Sequence, residues 1–503
     1  MAGTTTDVLI SGAGAAGLAL AIELGRRNVP FLLIDKSPQP FHGSRGKGIQ
    51  PRTQEVFEDM GVVDRAFATG GLYPVQREYK DGGFVDEPMT EHRDPNPSEP
   101  YTMPLMLPQF LTEAILRDRL AELGHRVQFG HELTAFKQDA AGVRATVKTG
   151  AGRQTIEAKY LVGTDGGRSF VRQALGIDFP GRTLGVRALV ADLDLDGLGD
   201  DAWHRWNEGT PDQISLCPLR GTTMFQLQAP VPLDGDVDLS MAGIAAMILR
   251  RTRRDDIRLH AVSWASVYSM NARLADRYRV ARVFLAGDSA HIHPPTGGQG
   301  LNTSIQDSYN LGWKLAAALA GAPEIVLGSY ETERRLVAAD VLGLSTKLLD
   351  AARASGNMRR GRETQQLDLA YPDSPLSLGI DLRLRTGHLF PGERAPDAPC
   401  VGAGGQPTRL FHLFRGTHWT LLGIDADRSA AKARKNLRIH TTGARGDIVD
   451  HSGHIREAYG EAPGWVLIRP DGYIAATVPA SGLAALEQHV ESLMGRSTAM
   501  KSN

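Results

Sequence analysis

Two histidines and two prolines are packed among glycines in the segment GDSAHIHPPTGGQGLN, residues 287–302, directly after the apolar run VFLA. His291 and His293 form an HxH pair, a pattern that can bind a metal ion. Two ligands on a non-helical segment do not complete the three or four that a zinc site needs, and no cysteine or carboxylate pair lies nearby in the sequence. We therefore predict no metal here, and the role of the glycines depends on what the rest of the chain binds.

A nucleotide-binding pattern occupies the first thirty-five residues, DVLISGAGAAGLALAIELGRRNVPFLLID. Residues 8–10 predict a strand, residues 18–24 a helix, and residues 31–34 a second buried strand that ends at Asp35. A GxGxxG turn between a strand and a helix, with an acid at the tip of the next strand, is typical of dinucleotide-binding proteins. The acid disfavours a 2′-phosphate, so the predicted dinucleotide is FAD or NAD rather than NADP.

Each glycine of this turn has a separate predicted role. Gly12 permits the tight turn, Gly14 lets a pyrophosphate approach backbone N–H groups at the helix start, and Gly17 allows close packing of helix on strand. Asp35 is predicted to bind ribose hydroxyls, and the second glycine-rich strand end near residue 290 favours FAD over NAD. The predicted cofactor-binding residues of this region are Gly12, Ala13, Gly14, Ala15, Ala16, Gly17, Asp35 and Lys36.

Three segments together resemble the class A flavoprotein monooxygenases, the group A aromatic hydroxylases with the p-hydroxybenzoate hydroxylase fold. The first is GxGxxG with Asp35, and the second is LVGTDGGRSFVR, residues 161–172, which is similar to the DG motif of that family. The third, residues 282–316, begins RVFLAGDSAHIHPPTGGQGLN and is similar to its GD motif. Within the family, the chain length and the extra C-terminal region resemble the phenol and aromatic-polyketide hydroxylases.

The resemblance implies a non-covalent FAD that is reduced by NADPH or NADH and then reacts with O₂. It also implies a C4a-hydroperoxyflavin that passes one oxygen atom to an aromatic substrate of phenolic or polyketide type. Further residues that the resemblance places on the cofactor are Arg45, Gln109, Asp165, Asp288, Pro295, Gly298, Gly300, Leu301 and Asn302. Arg168 and Arg172 are the candidate contacts of NAD(P)H. Positive helix-end N–H groups at residues 300–302 would favour the negative charge of reduced flavin.

The predicted fold class is α/β, with a Rossmann-like FAD-binding domain, an interleaved β-sheet substrate domain and a C-terminal thioredoxin-like domain. The FAD-binding domain is predicted to be discontinuous, over residues 1–72, 103–176 and 276–380. The remaining assignments are a β-rich substrate-binding domain at 73–102 and 177–275, a linker at 381–399, and the thioredoxin-like domain at 400–503. The last domain lacks CxxC, so its predicted role is packing or formation of a homodimer.

Composition narrows the class of partner. The chain has 503 residues, of which 42% are hydrophobic, and a formal net charge of −1, so no basic field exists to gather nucleic acid or an anionic membrane surface. The apolar run near the N-terminus is shorter than a membrane span and has no basic residues before it. Only two cysteines occur, which argues against a disulfide framework. We predict a cytoplasmic protein with a small-molecule partner.

The catalytic residues stay unassigned. Met224, Phe225, Trp264 and Pro294 are the candidate walls of the substrate pocket, and His204, Tyr268 and Asp212 are candidates for a general base that no pattern distinguishes. No WxWxIP segment occurs, which argues against a flavin halogenase. Baeyer–Villiger oxygenation on the same scaffold and a non-catalytic flavin-binding protein are the alternatives that remain open.

Overall fold

The computed structural model describes residues 4–80, 82–355, 360–378, 389–443 and 445–494. The strands, in chain order, are β1 (Thr4–Ser11), β2 (Phe31–Asp35), β3 (Gly48–Ile49), β4 (Gly71–Leu72), β5 (Val75–Lys80), β6 (Gly83–Glu87), β7 (Leu105–Met106), β8 (Gln128–Phe129), β9 (Glu132–Gln138), β10 (Val143–Thr149), β11 (Gly152–Gly163), β12 (Gly181–Asp196) and β13 (Ala202–Trp206). They continue with β14 (Ile214–Pro218), β15 (Phe225–Val231), β16 (Arg258–Leu274), β17 (Arg279–Val280), β18 (Val283–Leu285), β19 (His291–Ile292), β20 (Pro399–Gly402), β21 (Pro407–Arg409), β22 (Trp419–Ile424), β23 (Leu437–Thr441), β24 (Ile448–Val449), β25 (Gly464–Ile468) and β26 (Ile474–Pro479). The helices are α1 (Ala15–Gly25), α2 (Pro51–Met60), α3 (Val63–Thr69), α4 (Gln109–Glu122), α5 (Phe170–Ala174), α6 (Met241–Thr252), α7 (Gly300–Leu319), α8 (Glu324–Ser355), α9 (Leu410–Phe414), α10 (His454–Tyr459) and α11 (Leu483–Met494).

The first sheet carries the three motifs at one edge. Its strand order is β17-β18-β11-β1-β2-β8, and β1 runs parallel to both β2 and β11, while β18 runs parallel to β11. The carboxyl ends of β1, β11 and β18 therefore meet at the same edge, where Gly12, Thr164 and Gly287 follow. Ligands of open parallel sheets bind in the crevice outside these strand ends.

The second sheet has the order β19-β16-β12-β15-β14-β13-β5-β6. Alternate residues of β12 and β15, including Leu193 and Leu227, pack with Ile244 and Met247 of α6 in a separate apolar core. Residues of the opposite face, including Val190 and Gln228, line the same cleft as residues that follow β1 and β11. Three strand-like runs in the sequence, at 188–197, 213–230 and 256–278, predict strands, and β12, β14, β15 and β16 confirm them, whereas α6 and β13 were not predicted. The polar, proline-rich segment 80–101 predicts a loop, but its residues 83–87 form the edge strand β6.

The C-terminal region forms a sheet of order β23-β22-β25-β26, in which β22 is parallel to β23 and antiparallel to β25. An α/β architecture with a cofactor-binding region and a separate C-terminal region confirms the predicted fold class. The domain boundaries stay predictions, and residues 381–388 of the predicted linker lie outside the described residues. In segment 401–407, VGAGGQP, Pro407 stands where a second nucleotide loop would need its third glycine, and the segment joins β20 to β21 in an antiparallel hairpin rather than leading into a helix.

Candidate functional site

A cleft of about 1510 Å³ runs from the glycine turn after β1 to the inner face of the second sheet. Ligand pockets usually occupy about 300 to 1,000 Å³, so this cleft has room for more than one drug-sized molecule. Of the residues predicted to bind cofactor or substrate, those that line it are Gly14, Ala15, Ala16, Arg45, Gln109, Asp165, Arg168, Arg172, Asp288, Pro294, Pro295, Gly298, Gly300 and Leu301. Sequence motifs more than 250 residues apart thus meet in one space.

The glycine turn is fixed by close backbone contacts. Gly12 has a φ of +111°, and a Cβ there would lie 2.3 Å from the carbonyl oxygen of Thr164, so only glycine fits. A Cβ at Gly17 would lie 1.9 Å from the carbonyl oxygen of Gly12, which agrees with its predicted packing role. The Asp35 carboxylate accepts a hydrogen bond from the backbone N–H of Ala13 at 2.7 Å, so this acid also holds the turn. Lys36 is exposed next to it.

Two aspartates enter the cleft from the DG and GD motifs. One oxygen of Asp165 accepts from the backbone N–H of Val171 at 3.1 Å, and its other oxygen has no hydrogen-bond partner among the described residues. Asp288 has one weak contact, from Ser304 Oγ at 3.5 Å. Burial raises the pKa of both carboxyl groups, and the positive charge of Arg45 opposes that shift at Asp288. Both aspartates are thus placed to accept hydrogen bonds from hydroxyl groups of a ligand.

The two arginines proposed as NAD(P)H contacts differ in their surroundings. Arg172 is buried, donates to the carbonyl oxygens of Ser289 at 2.8 Å and Gly167 at 2.9 Å, and stacks on the ring of Phe179. It therefore ties the DG motif to the GD motif. Arg168 is exposed at the cleft, and a nicotinamide contact stays a prediction for both residues.

The turn before α7 is held by Asn302, which does not line the cleft itself. Its side chain accepts from the backbone N–H of Gln50 at 2.8 Å and donates to the carbonyl oxygens of Gly48 and Gly298, each at 2.8 Å. These bonds connect the start of α7 to the segment that carries Arg45. The cofactor contact predicted for Asn302 is thus accompanied by a role in shaping the turn.

Beneath the turn, His291 belongs to a buried ion network. Its Nε2 lies 2.6 Å from Oδ2 of Asp307, and Arg334 of α8 donates to the other oxygen of Asp307 at 2.7 Å. Burial would raise the pKa of Asp307, but the charges of His291 and Arg334 outweigh it and lower that pKa. His293 lines the cleft, and burial holds its pKa well below the ordinary value. In the described part of the chain no group of three His, Cys, Asp or Glu could hold a metal ion.

Arg45 and Gln109 both line the cleft. Arg45 lies over the rings of Phe41 and Trp264, with 5.5 and 5.8 Å between its guanidinium carbon and the ring centres. Gln109 begins α4, accepts from the backbone N–H of Gly46 at 3.3 Å and donates to Glu113 at 2.8 Å. The side chain of Gln109 thus orders the loop that carries Arg45, and its predicted cofactor contact stays a prediction.

The second sheet supplies the other wall, with different residues from those predicted. Phe225 points to the opposite face, into the core against α6, because it pairs with Leu193 rather than with a cleft-facing residue. Met224 accepts from Ser263 Oγ outside the cleft, and Trp264 packs edge-on against Phe41 beneath Arg45. Residues of this sheet that do line the cleft include Ala188, Val190, Trp203, Arg205, Ser215, Gln228, Ser266 and Tyr268.

The structure distinguishes the three candidates for a general base by their position relative to the cleft. Tyr268 lines the cleft, and burial raises its pKa to about 12, which keeps the phenol protonated near neutral pH. His204 is buried away from the cleft lining, with Nδ1 2.9 Å from the Tyr79 hydroxyl. Asp212 is exposed on the surface, 3.8 Å from Arg251. Of these, only Tyr268 is placed to touch a ligand, as a hydrogen-bond donor.

Residues 5–345 match the sequence profile of the FAD binding domain family, and residues 388–497 match that of the aromatic-ring hydroxylase C-terminal family. The chain belongs to the FAD-dependent aromatic-ring hydroxylases. It is 41% identical to a flavin-dependent monooxygenase of Mycobacteroides abscessus over 95% of this chain and 98% of that protein. The protein is therefore an oxidoreductase.

Polyketide hydroxylases also resemble this chain along its length. A 12-dehydrotetracycline 5-monooxygenase/anhydrotetracycline 6-monooxygenase of Streptomyces rimosus is 33% identical over 97% of this chain and 99% of that protein. A crystal structure of aklavinone-11 hydroxylase in a ternary complex with FAD and aklavinone has a TM-score of 0.84 and 27% identity, covering 99% of this chain and 100% of that one. The two aspartates, the glycine turn and the cleft of this chain fit FAD. Across the described ranges no helix is both long and apolar enough to span a membrane.

Proposed function

We propose that this oxidoreductase uses NAD(P)H and O₂ to hydroxylate an aromatic substrate of phenolic or polyketide type. The observation that carries the proposal is the single continuous cleft, which joins the dinucleotide turn to a second sheet. Its volume exceeds the usual range for one ligand, as a site for FAD and a ring substrate together requires. The polyketide hydroxylases among its relatives support the substrate class.

In this proposal the residues of the chain bind and orient the cofactor and shield the reacting atoms from water. Asp288 and Asp165 would accept hydrogen bonds from hydroxyl groups of the cofactor, and the N-terminus of α7 would offer backbone N–H groups to its ring. When bound, FAD supplies the redox chemistry, because it accepts a hydride from NAD(P)H and then reacts with O₂. The second sheet covers the reacting positions and keeps water from them.

The reductant is expected to dock without a domain of its own. No second GxGxxG fingerprint occurs in the sequence, and segment 401–407, which has Pro407 in place of the third glycine, lies in a β-hairpin. NAD(P)H would therefore meet FAD at the cleft mouth, where Arg168 is exposed. We propose that the cofactor ring alternates between an exposed and a buried position, and that substrate shifts this equilibrium because it binds the two states with different affinity.

The proposal is tested by incubating the FAD-loaded enzyme with NADPH and ¹⁸O₂ and with anhydrotetracycline or aklavinone as the substrate. We expect steady NADPH oxidation and a product that carries one labelled oxygen on an aromatic carbon. A labelled ester or lactone would instead indicate Baeyer–Villiger oxygenation. A single bleaching of the flavin without turnover would indicate a non-catalytic flavin-binding protein.

Substrate gating has its own measurement. Anaerobic stopped-flow mixing with NADPH, with and without substrate, should show faster flavin reduction when substrate is bound. Equal rates would contradict the gating hypothesis and indicate a permanently exposed ring. They would leave the oxygen-transfer result unaffected.

A further inference from the structure

Two cations lie beside the proposed flavin position, where no sequence motif predicted them. Lys47 and Arg360 both line the cleft, and both are at least nine-tenths buried. Nη1 of Arg360 lies 3.3 Å from the position that a Cβ of Gly298 would take, so the guanidinium borders the turn before α7. Burial lowers the pKa of Lys47; the neighbouring Cys217 opposes that shift, and the charge of Arg360 adds to it. Both cations thus line one cleft in which the charge of Arg360 acts on Lys47.

Several hydrogen-bond donors near Lys47 and Arg360 have no partner within the described part of the protein. Arg360 is 7% exposed, and its Nη1 has no hydrogen-bond partner within the described part of the chain. Trp203 is 3% exposed, and its Nε1 likewise has no partner among the residues described. Lys47 Nζ donates to Gln226 Oε1 at 2.7 Å and lies 4.1 Å above the Trp203 ring. An ammonium has three donors, so this one also keeps capacity for a ligand.

Asp192 is a carboxylate whose charge acts on Lys47, and Glu208 is a carboxylate that lines the cleft; each has other partners. Asp192 accepts from the backbone N–H of Ser44 at 2.8 Å and from the Ser44 hydroxyl. Glu208 pairs with Arg205 and accepts from Gln213 at 3.0 Å. Burial raises the pKa of both carboxyl groups, which disfavours their charged forms. The positive charge of Lys47 and Arg360 is therefore only partly compensated.

Apolar side chains form the floor around these donors. Trp203 belongs to a buried cluster with Met89, Met106 and Cys217, against which Tyr73 packs. Tyr73 also lines the cleft, and burial raises its pKa to about 12 although the charge of Arg360 opposes this. A flat ring with a polar edge matches such a surface, because the ring contacts the floor while an oxygen meets the donors.

We infer that Lys47, Tyr73, Trp203 and Arg360 form a subsite that binds an ionised oxygen of the ring substrate, with Arg360 as its specificity-determining residue. This inference rests on the proposed function, because it assumes that the ring substrate enters the same cleft. An unpaired buried cation is destabilising by itself, and an anionic oxygen would supply the missing charge and acceptor. A phenolate, an enolate and a carboxylate share this chemistry, and the probes below separate phenolate from carboxylate.

The test measures binding to the FAD-loaded enzyme by difference absorbance, without turnover. The probes are 1,2-dihydroxyanthraquinone, whose visible spectrum reports ionisation of its hydroxyl, and its dimethyl ether, which cannot ionise. Anthraquinone-2-carboxylate and its methyl ester form the second pair. Opposite charge at close range favours ionisation, so the hydroxyl pKa of the bound dye should fall by roughly one unit or more.

Arg360→Gln should weaken binding of the ionised probe by about tenfold or more and reverse the fall in its pKa. It should leave the affinity for the neutral ether unchanged, and Arg360→Lys should retain part of the preference for the anion. Arg144→Gln, at an exposed arginine far from the cleft, is the matched control. Lys47→Met is a second, independent variant if Arg360→Gln does not fold with FAD.

The subsite is supported if the wild type binds either anion more tightly than its neutral partner and the variants lose this preference. The anion that binds more tightly then shows whether the subsite takes a phenolate or a carboxylate. Equal binding of anion and neutral partner by the wild type would overturn it. Unchanged anion binding in a folded Arg360→Gln or Lys47→Met enzyme would overturn it as well. NADPH oxidation measured separately reports on the proposed function, so the two failures are distinguishable.

Discussion

Two buried groups of charged side chains in this protein differ in how completely they are paired. Between the cofactor-binding region and the C-terminal region, Glu333 accepts from Arg469 at 2.8 Å, Lys314 at 2.6 Å and Asn310 at 2.7 Å. Asp471 accepts from the same Arg469 at 2.7 Å and from Trp313 at 3.0 Å. In the cleft, by contrast, donors of Arg360 and Trp203 and one oxygen of Asp165 lack partners within the described residues.

The difference separates structural charges from charges that await a ligand. A buried ion stabilises a fold only when its partners and hydrogen bonds are complete, as they are around Glu333. An unpaired buried group is destabilising, and those of Arg360, Trp203 and Asp165 border the cleft, where a bound molecule would complete them. Removal of a charge should therefore weaken folding in the first region and ligand binding in the second.

The largest effect is expected from Glu333→Gln. This change removes the carboxylate partner of buried Lys314 and leaves Arg469 with Asp471 alone, and the free energy of unfolding should fall by about 3 to 5 kcal/mol. Thermal unfolding at a fixed scan rate measures the change. Glu157→Gln, which breaks an exposed ion pair with Arg144, should have an effect of about 1 kcal/mol or less. Similar losses in the two variants would remove the distinction between the regions.

Acid should act through the same carboxylate. Burial alone would raise the pKa of Glu333, but Arg469 and Lys314 outweigh it and hold that pKa well below the ordinary 4.5. A depressed native pKa contributes stability that is complete above 4.5 and is lost as the pH falls below that value. The thermal midpoint of the wild type should therefore drop more between pH 7 and pH 4 than that of Glu333→Gln. Parallel curves would contradict this assignment.

In the cleft, Asp288→Asn should leave folding intact and weaken FAD binding. Loss of a charge-assisted hydrogen bond of about 1.5 to 3 kcal/mol corresponds to a tenfold or greater rise in the dissociation constant. Titration of the apoprotein by flavin fluorescence measures it, and Asp118→Asn on the exposed side of α4 is the control. Unchanged affinity in the folded variant would tell against the assignment of Asp288.

Two glycines at the ends of the cofactor position sharpen the comparison further. Gly12→Ala adds a Cβ to a residue with φ of +111° and places it against the backbone of Thr164, so it should destabilise the protein by about 1 to 3 kcal/mol. Gly300→Ala meets no protein atom within 4 Å and should leave the apoprotein's thermal midpoint unchanged. Because Gly300 is predicted to border FAD, the added methyl group should nevertheless weaken FAD binding. Equal FAD affinity would remove Gly300 from the site.

The sequence predicted the parts of the site that depend on local backbone. Gly12, Gly17 and Asp35 form a recognisable turn because their spacing sets strand, turn and helix within one short segment. The DG and GD motifs are also local, and parallel strand ends bring them together. The resemblance to these motifs singled out Asp165 and Asp288 before the structure was known; both line the cleft, and their contact with FAD stays a prediction.

The substrate wall depends on information that is not local. Successive residues of a strand point to opposite faces, and without α6 nothing in the sequence shows that Phe225 faces the core and Gln228 the cleft. Arg360 is more than 300 residues from Lys47, and a β-bridge to Thr90 places it at the cleft. No motif marks either cation, so the subsite could be found only from packing.

The central claim is that the cleft is completed by one FAD, and cofactor stoichiometry tests it most directly. Purified protein, reconstituted with excess FAD and desalted, should hold roughly one FAD per chain, unfold at a higher temperature than the apoprotein, and release all its flavin on denaturation. A folded protein that takes up no FAD would contradict the account. Flavin that stays attached to the denatured chain would contradict its non-covalent binding.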